Sequence, residues 1–137
     1  MTDRLAPLLL TLALAAGCGA PEVVTPEPLR IVDTYPSNGA LVAAGDVPIV
    51  VVLSADPDED TLAEAVLLEE VSEAGTPIAV VPTALSEYLA ESHSATYTAP
   101  PLPAGRAFSL TIFQEVLRAD DGRALLSDFV RRFKTGP

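Results

Sequence analysis

The sequence predicts an all-β chain folded as an antiparallel β-sandwich of about seven strands. Val47–Leu53 (VPIVVVL) is a continuous, largely β-branched run, the composition of a strand in the middle of a core. Arg106–Phe113 alternates instead: Phe108, Leu110 and Ile112 share one side, Ser109 and Thr111 the other. Turn signals rich in Pro, Gly, Asn and Asp recur between short apolar runs, the spacing of a two-sheet antiparallel domain.

The chain opens on Leu5–Cys18 (LAPLLLTLALAAGC). This apolar run is shorter than the roughly 20 residues a spanning helix needs, and its length suits the h-region of a signal peptide. Ala15-Ala16-Gly17-Cys18 resembles the lipobox of bacterial lipoproteins, with Ala15 where leucine is usual. That resemblance implies removal of residues 1–17 and acylation of Cys18 as the new N-terminus, with palmitate among the chains. Cys18 is the single cysteine, so no internal disulfide can form, and lipidation gives a lone exported thiol a use. Gly19 after the cysteine resembles lipoproteins not retained at the inner membrane, which implies the outer membrane. Residues 18–28 then form a tether. Gly19–Pro28 (GAPEVVTPEP) has three prolines and no periodicity, and at ~3.1 Å per residue it holds a domain ~30 Å from the bilayer.

The folded domain is expected over residues 29–136. Leu29–Tyr35 reads as a first strand, broken by Pro36-Ser37-Asn38-Gly39, where Pro presets φ and Asn-Gly tolerates positive φ. Leu41–Ala44 is a short strand piece, and Val47–Leu53 follows, with Pro48 near its start where a missing amide is tolerated. Asp56, Asp58 and Asp60 resemble the first half of a calcium loop, but Thr61 stands where the loop needs Gly and Leu67 where it needs Glu. Thr61 and Glu64 form a capping-box pair instead, predicting one helical turn at Thr61–Glu64 and then a strand over Ala65–Val71. A full helix to Glu73 is the alternative. Ile78–Val81 is a strand after Gly75-Thr76-Pro77, and Ala84–Ser92 (ALSEYLAES) reads as a helical turn or loop. Ala95–Thr98 is a strand. Pro100–Gly105 suits a crossover between sheets, with Leu102 plugging the end of the core. Asp120-Asp121-Gly122 predicts a turn between Val116-Leu117 and Leu125-Leu126. Asp128–Thr135 is the last strand, where Arg131 falls in phase with Phe129 and Phe133; a bulge would restore the pattern.

In this order the signals resemble the bacterial Ig-like domain first associated with S-layer proteins. The matching pieces are Pro36-Ser37-Asn38-Gly39, Ile49–Leu53, Asp56–Thr61 and Tyr97-Thr98-Ala99-Pro100. They continue with Leu102-Pro103-Ala104-Gly105, Phe108, Asp120-Asp121-Gly122 and Phe133-Lys134-Thr135-Gly136. Three positions depart from that pattern: Leu53 stands for an aromatic, Ala99 separates Thr98 from Pro100, and Phe108 replaces a tyrosine, which removes a hydroxyl hydrogen bond there. The resemblance implies an Ig-like β-sandwich acting as a surface-exposed binding or spacer module. Without tryptophan or a cysteine pair, an antibody-type domain is excluded.

Net charge is −11 and the pI is near 4.2, so nucleic acid and anionic lipid surfaces are poor partners. The charge is uneven: Asp33–Gly105 holds twelve acids and no Lys or Arg, while Arg106–Pro137 holds six bases and four acids. Catalytic signals are lacking. His93 is the single histidine, and its neighbours Ser92 and Ser94 cannot build a triad with it. One histidine and no second cysteine leave no zinc site; a single methionine leaves no soft copper site; no Gly-rich phosphate loop follows a strand. Two carboxylate pairs, Glu69-Glu70 and Glu87/Glu91, lack the aromatic subsite of a glycosidase. The expected function is a non-catalytic module, anchored in the cell envelope, that binds or spaces an envelope protein or polysaccharide. The alternative is a spacer stiffened by calcium at Asp56, Asp58 and Asp60, with help from Asp120 and Asp121. No other cofactor is expected.

Overall fold

The computed structural model describes residues 27–137. Cys18, the signal stretch and most of the tether lie outside the described residues.

Nine strands form two packed sheets. They are β1 (Ile31–Tyr35), β2 (Ala40–Val42), β3 (Ile49–Leu53), β4 (Val66–Val71), β5 (Pro77–Val81), β6 (Ala84–Leu89), β7 (Ser94–Thr98), β8 (Ala107–Ile112) and β9 (Phe129–Thr135). One sheet has the order β1-β3-β7-β6, the other β2-β9-β8-β4-β5. Pairing is antiparallel throughout except for β2, which runs parallel to β9. This is the expected sandwich, with the short piece at Leu41 forming β2 and β6 added as a strand the sequence did not predict.

The continuous apolar run of β3 fits its central position, because both neighbours, β1 and β7, pair with it. Ile49, Val51 and Leu53 point into the core and are fully buried. From the other sheet Leu68, Phe108, Leu110 and Ile112 meet them, and the Phe108 and Phe133 rings stack with centroids 5.4 Å apart. Each such buried side chain contributes roughly 1.5–3 kcal/mol of transfer free energy. The proline crossover joins β7 of one sheet to β8 of the other. Leu102 within it is buried and exchanges two 2.9 Å backbone hydrogen bonds with Gly45.

Several elements differ from the sequence reading for identifiable reasons. Ala84–Leu89 is an edge strand, not a helical turn or loop. Leu85 and Tyr88 are three residues apart, a helix-like spacing, yet Leu85 pairs with Tyr97 and Tyr88 with Ala95, because Ser86 is bulged out between them. The helical turn α1 spans Glu59–Leu62 and is capped by Asp58, whose side chain accepts from the Asp60 amide at 3.1 Å. Thr61 is therefore not the cap; its hydroxyl donates to the Asp58 carbonyl at 2.7 Å and accepts from the Arg118 amide at 3.2 Å. Pro57, bridged to Ala119, pins the loop earlier than the capping-box reading placed it. No bulge corrects β9: its register with β8 runs unbroken from Ile112–Phe129 to Ala107–Lys134. Arg131 keeps its inward phase by laying its guanidinium 3.8 Å from the centroid of the Phe129 ring. The Asp120-Asp121-Gly122 turn forms, but with a single bridge, Arg118–Ala124, in place of a hairpin. Leu117 and Leu125 beside it are buried plugs.

One buried polar contact ties the two sheets together at this end. The Tyr97 hydroxyl, on β7, donates to the Leu62 carbonyl at 2.6 Å, and burial raises its pKa. Tyr97→Phe keeps the ring and leaves that carbonyl only the 3.4 Å hydrogen bond from the Ala65 amide. The expected loss is about 1–3 kcal/mol in urea unfolding with an unchanged fold by circular dichroism.

Candidate functional site

The strand ends divide the polar surface into two poles. At one, β3 leads into the Asp56–Asp60 loop and α1, the β6–β7 turn carries His93, and the Asp120–Asp128 loop leads into β9. Backbone hydrogen bonds stitch these loops together: Asp58 N to Arg118 O at 2.8 Å and Asp120 N to Asp56 O at 2.9 Å.

The sequence singled out Asp56, Asp58 and Asp60 as the carboxylates of a candidate calcium loop; the structure gives the first two separate tasks. Asp58 caps α1. Asp56 Oδ1 accepts from the Tyr88 hydroxyl at 2.6 Å and contacts His93 Nδ1 at 3.0 Å. A carboxylate only accepts here, so the facing Nδ1 is the protonated ring nitrogen of His93. His93 takes a left-handed backbone conformation, φ 51°, which turns its ring toward this carboxylate. Asp60 is exposed, and its amide serves the Asp58 cap. Asp121 pairs with Arg123 at 2.8 Å, while Asp120 is exposed. Among the described residues no three His, Cys, Asp or Glu side chains converge on one point that could hold a metal ion.

Hydrogen bonds from Tyr88 and then His93 hold the Asp56 carboxyl below the usual carboxylate range. Burial, followed by the adjacent Asp56, raises the pKa of the Tyr88 hydroxyl. The Asp56–Tyr88–His93 cluster joins residues 32 and 37 positions apart. No sequence signal announced it, since Tyr88 sits in the stretch read as a helical turn or loop and His93 just beyond its end. The Tyr88 hydroxyl also lies 3.4 Å from His93 Nδ1, and the three side chains fasten the β6–β7 hairpin to the acidic loop.

At the opposite pole the β4–β5 turn (Ser72–Thr76) closes over the outer face of the five-stranded sheet. Gly75 adopts φ +89°, and a Cβ there would lie 2.6 Å from Arg132 Nη1, so glycine lets the turn reach the guanidinium. Beside it runs a groove of about 310 Å³ lined by Val71, Glu73, Ile78, Arg106, Ala107 and Lys134. A second, adjoining hollow of about 130 Å³ adds Arg132 to the rim. Arg106 reaches the Glu70 carboxylate at 3.3 Å, and the Arg132 and Lys134 side chains have no carboxylate partner among the described residues. The surplus of bases after Arg106 was visible in the sequence; that β8 and β9 place three of them at one end was not.

Similarity to solved structures is confined to the fold. The chain resembles CopC from Methylosinus trichosporium OB3b at TM-score 0.52 and 15% identity, over 80% of this chain and 94% of that one. It also resembles domains of the surface layer protein SbsC at TM-score 0.57 and 11% identity, over 80% of this chain and 14% of that one. A third likeness is to Escherichia coli alpha-2-macroglobulin, at TM-score 0.50 and 18% identity, over 80% of this chain and 6% of that one. No protein-family model and no curated protein matches the sequence.

The depressed Asp56 pKa fixes a sign. Its stabilisation is present above the ordinary carboxyl value of 3.8 and is lost as pH falls through the lower folded-state value. In thermal melts Asp56→Asn is expected to fall below the parent at neutral pH and down to about pH 5, with the gap narrowing as pH falls below 3.8. A gap independent of pH would show that the charge of Asp56 is not what the cluster uses.

Proposed function

We propose that this chain is a lipid-anchored, non-catalytic module of the cell envelope that binds or spaces an envelope component through its loops or a sheet edge. The observation that carries this reading is the two-sheet fold with both ends closed by buried plugs, Leu102 at one and Leu62, Leu117 and Leu125 at the other. The hollows on the surface of the described residues are open and not enclosed, which suits docking of a macromolecule better than enclosure of a small substrate. The likeness to a surface layer protein and to CopC agrees with an exported β-sandwich. No helix among the described residues is long and apolar enough to cross a membrane, so attachment is assigned to Cys18 in this reading. The acyl chains hold the module at the bilayer, outer membrane by the Gly19 criterion, and the tether sets its distance.

Growth with a palmitate analogue tests the anchor. The chain is expected to carry the label and to sediment with membranes, and Cys18→Ala is expected to lose both. Label retained in Cys18→Ala refutes lipidation at that thiol.

A further inference from the structure

The chain enters the folded domain at its acidic end, where the Asp56–Asp60 and Asp120-Asp121 carboxylates lie. Arg123 Nη1 donates to the Glu27 carbonyl at 2.9 Å, and the Leu29 amide donates to the Ala124 carbonyl at 3.1 Å. These bonds pin the incoming chain against the loop that precedes β9. The same loop projects Leu126 with 82% of its surface exposed, more than any other large apolar side chain among the described residues. Leu126 borders a hollow of about 220 Å³ between the starts of β1 and β9, together with Ile31 and Phe129, both half-buried. Charge beside the hollow is positive. Arg30 lines it, is exposed, and its guanidinium has no hydrogen bond or ion pair among the described residues. The Arg131 guanidinium lies 3.8 Å from the centroid of the Phe129 ring. The one carboxylate lining the hollow, Asp128, is engaged by the Gln114 amide at 2.9 Å.

We infer that Leu126 and this hollow are the face that rests on the phospholipid bilayer holding the anchor, with Leu126 entering the boundary between headgroups and acyl chains and Arg30 donating to lipid phosphate. The occupant follows from the length of chain before the domain and the place where it ends. Residues 18–26 separate the anchor from Glu27, and even fully extended they reach only about 30 Å. The end of the domain that such a tether keeps near the bilayer is the one that carries Leu126. Confinement on a short tether raises the effective concentration of the surface, so a contact too weak to recruit a free chain still forms. The tether length is then the greatest height of the domain above the membrane. The chemistry matches on both sides: acyl carbon takes the leucine, and phosphate takes the guanidinium. The carboxylates of the neighbouring loops repel an anionic surface, so the headgroups are zwitterionic. The contact rests on the proposed anchor only for bringing Cys18 to a bilayer.

The chain contains no tryptophan, so the emission of Leu126→Trp reports that site alone. Ile78→Trp, in the groove at the opposite pole, is the control. Both parent side chains are exposed, so both variants should keep the parent's thermal midpoint. The chain as the cell makes it is placed in phosphatidylcholine vesicles through its own anchor. If the palmitate label shows Cys18 unmodified, the proposed anchor fails, and the same thiol is coupled to a maleimide lipid; the contact is read in either case. On attachment the Leu126→Trp emission is expected to shift to the blue and to be quenched by brominated phosphatidylcholine. The Ile78→Trp emission is expected to do neither. Adding Arg30→Glu to Leu126→Trp, or replacing part of the lipid by anionic phosphatidylglycerol, is expected to weaken the quenching. An unshifted Leu126→Trp emission on vesicle-attached chain overturns the proposal. So does an equal response from Ile78→Trp, because the affinity of the indole itself would then drive both. Emission from Leu126→Trp already blue before vesicles are added also overturns it, since another part of the chain or a second copy would then occupy the hollow.

Discussion

The sandwich depends on closing its acidic end. Two sheets can bury Ile49, Val51 and Leu53 against Leu68, Leu110 and Ile112 only if water is kept from the open ends of the layer between them. At this end the closure is made by the segment that carries the chain from β3 in one sheet to β4 in the other. Leu62 is inserted from α1, and its carbonyl accepts a hydrogen bond from the Tyr97 hydroxyl across the core. The carbonyl's other donor, the Ala65 amide, lies 3.4 Å away, so losing the 2.6 Å bond from Tyr97 costs about 1–3 kcal/mol, a large share of the stability of a domain this size. The Asp58 cap holds the turn that presents Leu62, and the Asp56–Tyr88–His93 cluster holds the loop that presents the cap. The acidic residues here are thus structural as well as exposed.

Most of the fold was readable because period-2 and turn chemistry are local. The β3 run, the alternation of β8, the Asn38-Gly39 turn and the proline crossover stand where the sequence placed them. In the Asn38-Gly39 turn the Asn38 side chain accepts from the Arg132 amide at 3.0 Å and the Gly39 amide donates to the Arg132 carbonyl at 2.7 Å, which docks β2 alongside β9. The strand after α1 also prevailed over a full helix, although LAEAVLLEEV has high helix propensity, because Leu68 must pair with Leu110.

Bulges account for part of what local pattern obscured. Edge strands β1 and β6 each carry a bulge, which moves inward side chains from a spacing of two to a spacing of three. In β1 this lets Ile31 and Thr34 face inward and leaves Val32 outside; in β6 it gives Leu85 and Tyr88 the spacing of a helix. Arg131 misled in the opposite sense, since a charge in an inward phase implied a bulge where a cation–π contact with Phe129 sufficed. The resemblance to bacterial Ig-like domains also placed the missing tyrosine hydroxyl at Phe108, whereas the buried hydroxyl that matters here is that of Tyr97. Contacts of long sequence separation, such as Asp56 with His93, leave no local trace.

Hydrogen–deuterium exchange of individual amides tests the closure most directly. If the acidic end is locked as described, the amides of Ala65 and Phe113, which bond to the Leu62 and Ala65 carbonyls, exchange nearly as slowly as those of β3 and β8. If they exchange at the rate of an exposed loop while β3 and β8 stay protected, the sheets hold without that lock, and the account of the acidic end is wrong.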